Sequence, residues 1–482
     1  MGAAPIDMPL SIAEPELMYL GSTASKWLFS SRKSHLGDFL EGYSYSGSAL
    51  GMKTDCGVFS SGGFLERRRF LVSSLTASAF TLAHQAFGDI TTLRHRRSYD
   101  FSRTISREVL ESYLARSITM QGLLNGCGDL DDNIRMLKHI GAKYIGRSIC
   151  LWGGEASLLQ NLERARQQLP LVHAADPEMI LEACIFEIVT TEVEQVSVPD
   201  WAFNALGLPV EKRNFRYDAM LYPLSQRTRS WGENSSVPDV SQTETQLWFY
   251  FLAKSYIDLG CEGLHWGQME IMNYNDPDLA HYARVFELVR AYAAQHARRG
   301  MVLCNAHVPS GGLVRNGQLL LDFHALPLRI KEDPDHPQEA TLQVGYVDSI
   351  YLRSKGGRTY SGWTCEHLPY LVELDNWGVS KHPGQPGQTA GRQVRGAFWI
   401  WGYDEISWFG HQSQAYRVQW LRYAWNWVRK TDPNGYLEMP GSRGMTPPID
   451  HHSWYYANAP SSKTPEGFGD EEAIRAIWKS DR

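Results

Sequence analysis

Cysteine is scarce in this chain, seven among 482 residues, with no Cys-x-x-Cys and no Cys/His spacing of the kind that binds zinc. That excludes a disulfide framework or a structural zinc core as the organiser of the fold. Cys150, Cys184 and Cys304 fall instead inside apolar strand-like runs, where a thiol behaves as a small apolar side chain. An excess of one charge is missing too. The formal net charge is −6 and no basic stripe occurs, so nucleic acid and anionic membrane surfaces are not expected as partners. No run is long and apolar enough for stable membrane insertion. Internal repeats and low-complexity tracts are absent, apart from an alternation of strand-like and helical segments.

The chain is rich in apolar and aromatic residues, 43% hydrophobic with 16 Trp and 23 Tyr. Such a chain can bury a large core, and a (β/α)₈ barrel of roughly 250 to 400 residues would use most of it. The aromatics leave two readings open. They serve the core of a large barrel, or they stack on the apolar C–H faces of sugar rings while their polar tips hydrogen-bond.

The alternation begins at 118–125 (ITMQGLLN), a first strand, followed by a helix over 131–140 (DDNIRMLKHI). Ile134, Leu137 and Ile140 recur at helical spacing, Asp131 and Asp132 suit the helix dipole, and Gly141 ends the run. A second strand (144–151), a helix (156–168) and a third strand (180–190) follow, then an irregular insertion to residue 238. Helix 243–259 leads to the fourth strand, 263–270 (GLHWGQME), and helix 279–298 to the fifth, 301–307 (MVLCNAH). The sixth strand is placed at 319–326 (LLLDFHAL), the seventh at 369–373 (PYLVE), the eighth at 397–403 (AFWIWGY), and a closing helix at 414–430. This pattern predicts an α/β fold, a (β/α)₈ TIM barrel with long insertions on the catalytic face, over 89–445, with 446–482 as a C-terminal tail.

In such a barrel every strand delivers its carboxyl end to one face, so Glu270 and Glu373 are expected to share a cleft. Paired carboxylates across a cleft are what glycosidic bond cleavage needs. Arg147 on the second strand is placed to hold Glu373 ionised, and Trp266 and Met269 to keep Glu270 protonated. Glu187, Gln268, His307, His324, Asp375, Trp377, Trp399 and Trp401 are expected around the same end, and Glu187, Glu155, Asp375, Asp404 and Glu405 are competing acids for the two catalytic roles. The same strand ends permit two other readings. Glu187, Glu270, His307, Asp322, His324 and Glu373 offer ligands for a divalent ion, as in a sugar isomerase barrel. A silent barrel that binds glycans through its Trp and Tyr surface would need no convergent carboxylates.

Near the amino terminus, 66–71 (ERRRFL) precedes a short apolar run, 71–83 (LVSSLTASAFTLA). This resembles a twin-arginine export signal with Arg67 and Arg68 as the pair, spanning 52–88 and cleaved after Ala79 or Ala83. The resemblance implies the twin-arginine machinery as a partner and a periplasmic or secreted protein exported already folded. Met52 is the expected initiator, which leaves 1–51 outside the native protein.

The stretch 133–148 (NIRMLKHIGAKYIGRS) resembles the first helix and second strand of the clan A retaining glycoside hydrolases, whose second strand carries an arginine, here Arg147. By position over about 118–430, the resemblance implies Glu270 as acid/base, Glu373 as nucleophile, His324 as a supporting polar group and Trp399 or Trp401 as the sugar platform. It implies an oligo- or polysaccharide substrate and no cofactor. The acid/base of that clan follows an Asn, whereas Met269 precedes Glu270 here. Gln268, Asn273 or Asn305 would then hold the sugar 2-hydroxyl.

Overall fold

The computed structural model describes residues 97–223, 227–376, 379–380, 383–384, 400–449 and 452–481. The export signal, the Met52 start, Trp377 and Trp399 lie outside the described residues. Within them the fold is α/β, built on parallel strands.

The chain enters through helix α1 (Arg107–Leu114), capped by the Ser106 hydroxyl, and strand β1 (Ser117–Met120). Helix α2 (Leu130–Ile140) starts where the Asp129 carboxylate accepts from the Asp132 amide and ends at Gly141. Its acids at the first turn and Lys138 and His139 at the last both complement the dipole, as the sequence pattern implies. Then come β2 (Tyr144–Ile149), α3 (Leu158–Ala175), β3 (Ile180–Cys184), α4 (Thr243–Leu259), β4 (Gly263–Gln268), α5 (Ala280–His296), β5 (Leu303–His307), β6 (His324–Pro327) and β7 (Tyr370–Glu373). All seven strands β1 to β7 are buried along nearly their whole length, the mark of parallel strands covered on both faces. Helices α3 and α4, and α4 and α5, pack side by side. No helix among the described residues is long and apolar enough to cross a membrane.

The sequence pattern misplaces the eighth strand. Residues 400–403 form only a tight bridge, Ile400 with Tyr403, and the strand after helix α6 (Glu405–His411) and helix α7 (Gln414–Thr431) is β8 (Gly435–Leu437), parallel to β7. After the single residue Glu438 the chain continues as β9 (Met439–Ile449), which turns to the other side and pairs parallel with β1. A strand that serves two neighbours in succession needs no long apolar run, and its Gly and Pro content hid it. The stretch read as a patternless tail adds β10 (His452–Tyr456), antiparallel to β9, and helix α8 (Glu471–Ser480), which packs on α2.

The hydrogen-bonded order is therefore β10-β9-β1-β2-β3-β4-β5 in one sheet and β6-β7-β8 in the other, joined through Glu438. The ladder is open between β5 and β6. There the Asp322 amide donates to the Cys304 carbonyl at 2.9 Å and the Asp322 carboxylate accepts from the Cys304 amide at 2.8 Å.

Candidate active site

The carboxyl ends of β1, β2, β5 and β7 meet at Glu373. Both of its oxygens accept from Arg147 Nε, at 3.1 and 3.0 Å, and Oε1 also accepts from the Arg147 Nη2 amino group. Thr119 Oγ1 on β1 donates to Oε2 at 3.2 Å, His307 Nε2 at the end of β5 stands 3.4 Å from Oε1, and Arg443 Nη2 on β9 stands 3.7 Å from Oε2. Asp375, two residues on, pairs with Arg443 and lies 3.9 Å from Arg147. Two guanidiniums thus face two carboxylates, with Arg147, Arg443 and Glu373 buried and Asp375 half-buried. Burial alone would push the Glu373 carboxyl up, but Arg147, Arg443 and the His307 hydrogen bond outweigh it and hold it well below the usual carboxylate range. Asp375 is lowered against its burial by Arg443 and Arg147.

Beside this cluster the His307 ring meets that of His265 on β4 edge to face at 4.9 Å. His265 Nδ1 lies 2.8 Å from Asn305 Oδ1, and burial holds this imidazole neutral.

A second carboxyl group, Glu187, sits in the loop after β3. Gln268 at the end of β4 clamps it, donating from Nε2 to Oε1 at 2.7 Å and from its amide to Oε2 at 2.9 Å. Burial pushes Glu187 up. β4 comes this close only because residue 267 is glycine, with φ 55 and room so tight that a Cβ would stand 2.1 Å from Glu187 Oε2. The half-buried Trp152 and Trp231 cover this corner with ring centroids 5.3 Å apart, and Trp231 Nε1 donates to the Glu187 carbonyl.

Arg147, His307, Glu373 and Asp375 are thus brought together, and Glu187 with Gln268. Glu270 is not on the strand. It lies half-buried in the 3₁₀ turn Met269–Ile271, where its Oε2 accepts from the Ser310 amide at 3.2 Å, and no described hydrogen bond or ion pair joins it to Glu373. Asn273 follows in the same rim, its carbonyl accepting from Asp276. His324 opens β6 opposite Tyr370, three residues before the Pro327–Glu373 pair, and so lies toward the amino ends of these strands. Burial and the Lys355 charge lower this imidazole to about 3. Trp401 is buried outside strands β1 to β8 and donates from Nε1 to the Glu339 carbonyl at 3.1 Å.

Sequence reasoning missed Arg443 and Thr119, and also Glu182 and Glu438, buried acids on β3 and between β8 and β9. For Thr119 the signal was present, since alternation along β1 puts it on the face of Ser117, whose hydroxyl donates to Glu438. The strand-end set Glu187, Glu270, His307, Asp322, His324 and Glu373 does not gather as one ligand cluster. Among the described residues, the acids and histidine close enough to share a cation are His139, Glu471 and Glu472 on α2 and α8. Asp322 is instead paired with Arg290 at 2.9 Å.

No family model matches the chain, and no curated protein does. Among solved structures it is similar to a GH113 beta-mannanase from Alicyclobacillus acidocaldarius in complex with ManMIm, at 9% identity and a TM-score of 0.36, over 76% of this chain and 98% of that one. It is also similar to an Arthrobacter globiformis T6 isomalto-dextranase complexed with panose, at 11% identity and a TM-score of 0.25, over 64% of this chain and 46% of that one. At those scores neither likeness bears on the chemistry of the site.

Proposed function

We propose that the chain is an exported glycoside hydrolase that cleaves a glycosidic bond with retention of configuration, on a barrel closed across the β5/β6 seam. The observation that carries this reading is Glu373, a carboxylate at the carboxyl end of a parallel strand, buried and kept ionised by Arg147 and Arg443. A carboxylate held negative with little water around it is suited to attack at an anomeric carbon carrying oxocarbenium character.

In this reading Glu373 forms the covalent glycosyl intermediate. Glu270, on the rim after β4, protonates the leaving oxygen and then deprotonates the incoming water. A retaining mechanism requires the two carboxyls to come within about 5 to 5.5 Å when sugar is bound. Glu187, Gln268, Asn273, His307 and Asp375 hold sugar hydroxyls, and the aromatic side chains of the cleft supply the ring platform. Export rests on the ERRRFL sequence and the apolar run after it.

The test is hydrolysis of a panel of oligo- and polysaccharides, with Glu373→Gln as control and the anomer of the first product followed by NMR. Turnover by the wild type alone, with a retained anomer, is the expected result. Binding without turnover by either protein would leave a glycan-binding barrel, and an inverted anomer would exclude the retaining mechanism.

A further inference from the structure

The strained residue of the site is Arg147, and the structure shows what holds it. Strand β2 pairs with β1 through Thr119 opposite Gly146, and with β3 through Ile145 opposite Leu181, resuming only at Ile149 opposite Ala183. Between these points Arg147 takes φ 55, a left-handed conformation that a non-glycine residue keeps only where its surroundings over-determine it. Its carbonyl accepts from the Gly122 amide at 3.0 Å. Its amide has left the ladder and would be orphaned in the barrel interior. It donates instead to Glu182 Oε2 at 2.9 Å. The other oxygen of Glu182 accepts from Tyr144 Oη and from Asn305 Nδ2, each at 2.6 Å.

We propose that Glu182 is a positioning residue, a buried carboxyl whose bond to the Arg147 amide fixes the bulge that aims the guanidinium at Glu373. Three donors from β2 and β5 converge on this one side chain, and only a carboxyl group has two oxygens to receive them. An amide in its place has one oxygen and brings donors of its own. With its amide unpaired, Arg147 gains by returning to extended backbone, and because side chains alternate along a strand that return turns the guanidinium away from Glu373. The space is prepared for this arrangement. At Gly146 a Cβ would touch Glu182 Oε2 at an ordinary 3.6 Å but would stand 2.1 Å from Glu438 Oε1, so a side chain there would displace the Glu438 carboxyl beside it.

The inference rests on the glycosidase reading for its kinetic readout alone. The test compares wild type, Glu182→Gln and Tyr144→Phe. Each is ¹³C-labelled at glutamate carboxyls, the Glu373 signal is assigned by its loss in Glu373→Gln, and the titration of that signal is followed alongside the pH dependence of kcat/KM. In Glu182→Gln the Glu373 titration is expected to move up by roughly one pH unit, since its nearest cation has lost its anchor. The acid limb of kcat/KM should move with it. Tyr144→Phe, which removes one donor and leaves the Arg147 amide bond, should move both in the same direction by less. An unmoved Glu373 titration in Glu182→Gln, with only the thermal midpoint lowered, overturns the proposal. If Glu182→Gln does not fold, an unmoved titration in Tyr144→Phe overturns it equally. Should the wild type hydrolyse no glycoside, the glycosidase reading fails and the carboxyl titration still decides the role of Glu182.

Discussion

Replacing Arg147 by Met removes the principal counter-charge of Glu373 while keeping most of the side-chain volume. The two partners are 6% and 2% exposed, so solvent screens their interaction little. Removing one partner of a buried pair costs about 3 to 5 kcal/mol, because the other charge is left uncompensated. Arg443 at 3.7 Å and His307 at 3.4 Å remain. The cost should therefore fall near the lower end, about 3 kcal/mol at pH 7. Its pH dependence has a definite sign. The folded-state value of Glu373 is depressed, so its contribution is fully present above the unfolded value, about 4.3, and is lost as pH falls through the folded value. The stability gap between wild type and Arg147→Met should be widest at neutral pH and narrow on acidification, as the stranded carboxylate takes up a proton. Adding Glu373→Gln should recover much of the loss, since no buried charge is then left alone. Urea unfolding of the three proteins at pH 7 and pH 4 measures this. A gap of equal size at both pH values, or a double variant less stable than Arg147→Met, would show that the ion pair does not set the energetics of the site.

Glu373→Ala should abolish turnover on every substrate, whereas Glu270→Ala should spare the first step on activated aryl glycosides, with added azide giving a product of retained configuration. Wild-type activity lost to a chelator and restored by a divalent ion would instead favour the metal reading. Arg67→Lys with Arg68→Lys should stop export, and amino-terminal sequencing of the exported protein should begin between about residues 79 and 89; an exported protein retaining residues 1–51 would refute both the signal and the Met52 start. Gly146→Ala should destabilise the fold by about 1 to 3 kcal/mol, the usual cost of overpacking, because its Cβ would meet Glu438 Oε1; an unchanged urea midpoint would mean that the carboxyl layer yields freely.

Seven of the strand-like runs overlap observed strands, but the sixth, read at 319–326, forms only at His324–Pro327, whereas helix 243–259 was legible to the residue. The eighth was not, because Gly435, Pro440, Gly441 and Gly444 read as loop while the aromatic run 397–403 read as strand. Strand ends were overextended for a related reason. In GLHWGQME the pattern carries no mark of where pairing stops, and the turn at Met269 moves Glu270 off the face that alternation assigned to it. Arg147 and Glu373 were legible as partners because each is a lone charge in an apolar strand, a cost that pairing offsets. Arg443 carried no such mark, since the Gly- and Pro-rich stretch between the closing helix and the tail was assigned no strand.

The placement of Arg443 follows from how the two sheets are joined. β8 leaves β7 after Leu437, and β9 must cross to β1, so the residues just past Glu438 run between the strand that ends in Glu373 and the strand that carries Thr119. A cation at 443 therefore reaches Glu373 and Asp375 together, as its two contacts show. With Arg147 approaching from β2 on the far side of β1, the two guanidiniums flank Glu373 from different strands. Neither alone balances two carboxylates at this depth. The left-handed bulge at Arg147 and the strand switch at Glu438 are thus complementary departures from a regular ladder, and both bring positive charge to the same carboxyl end of β7.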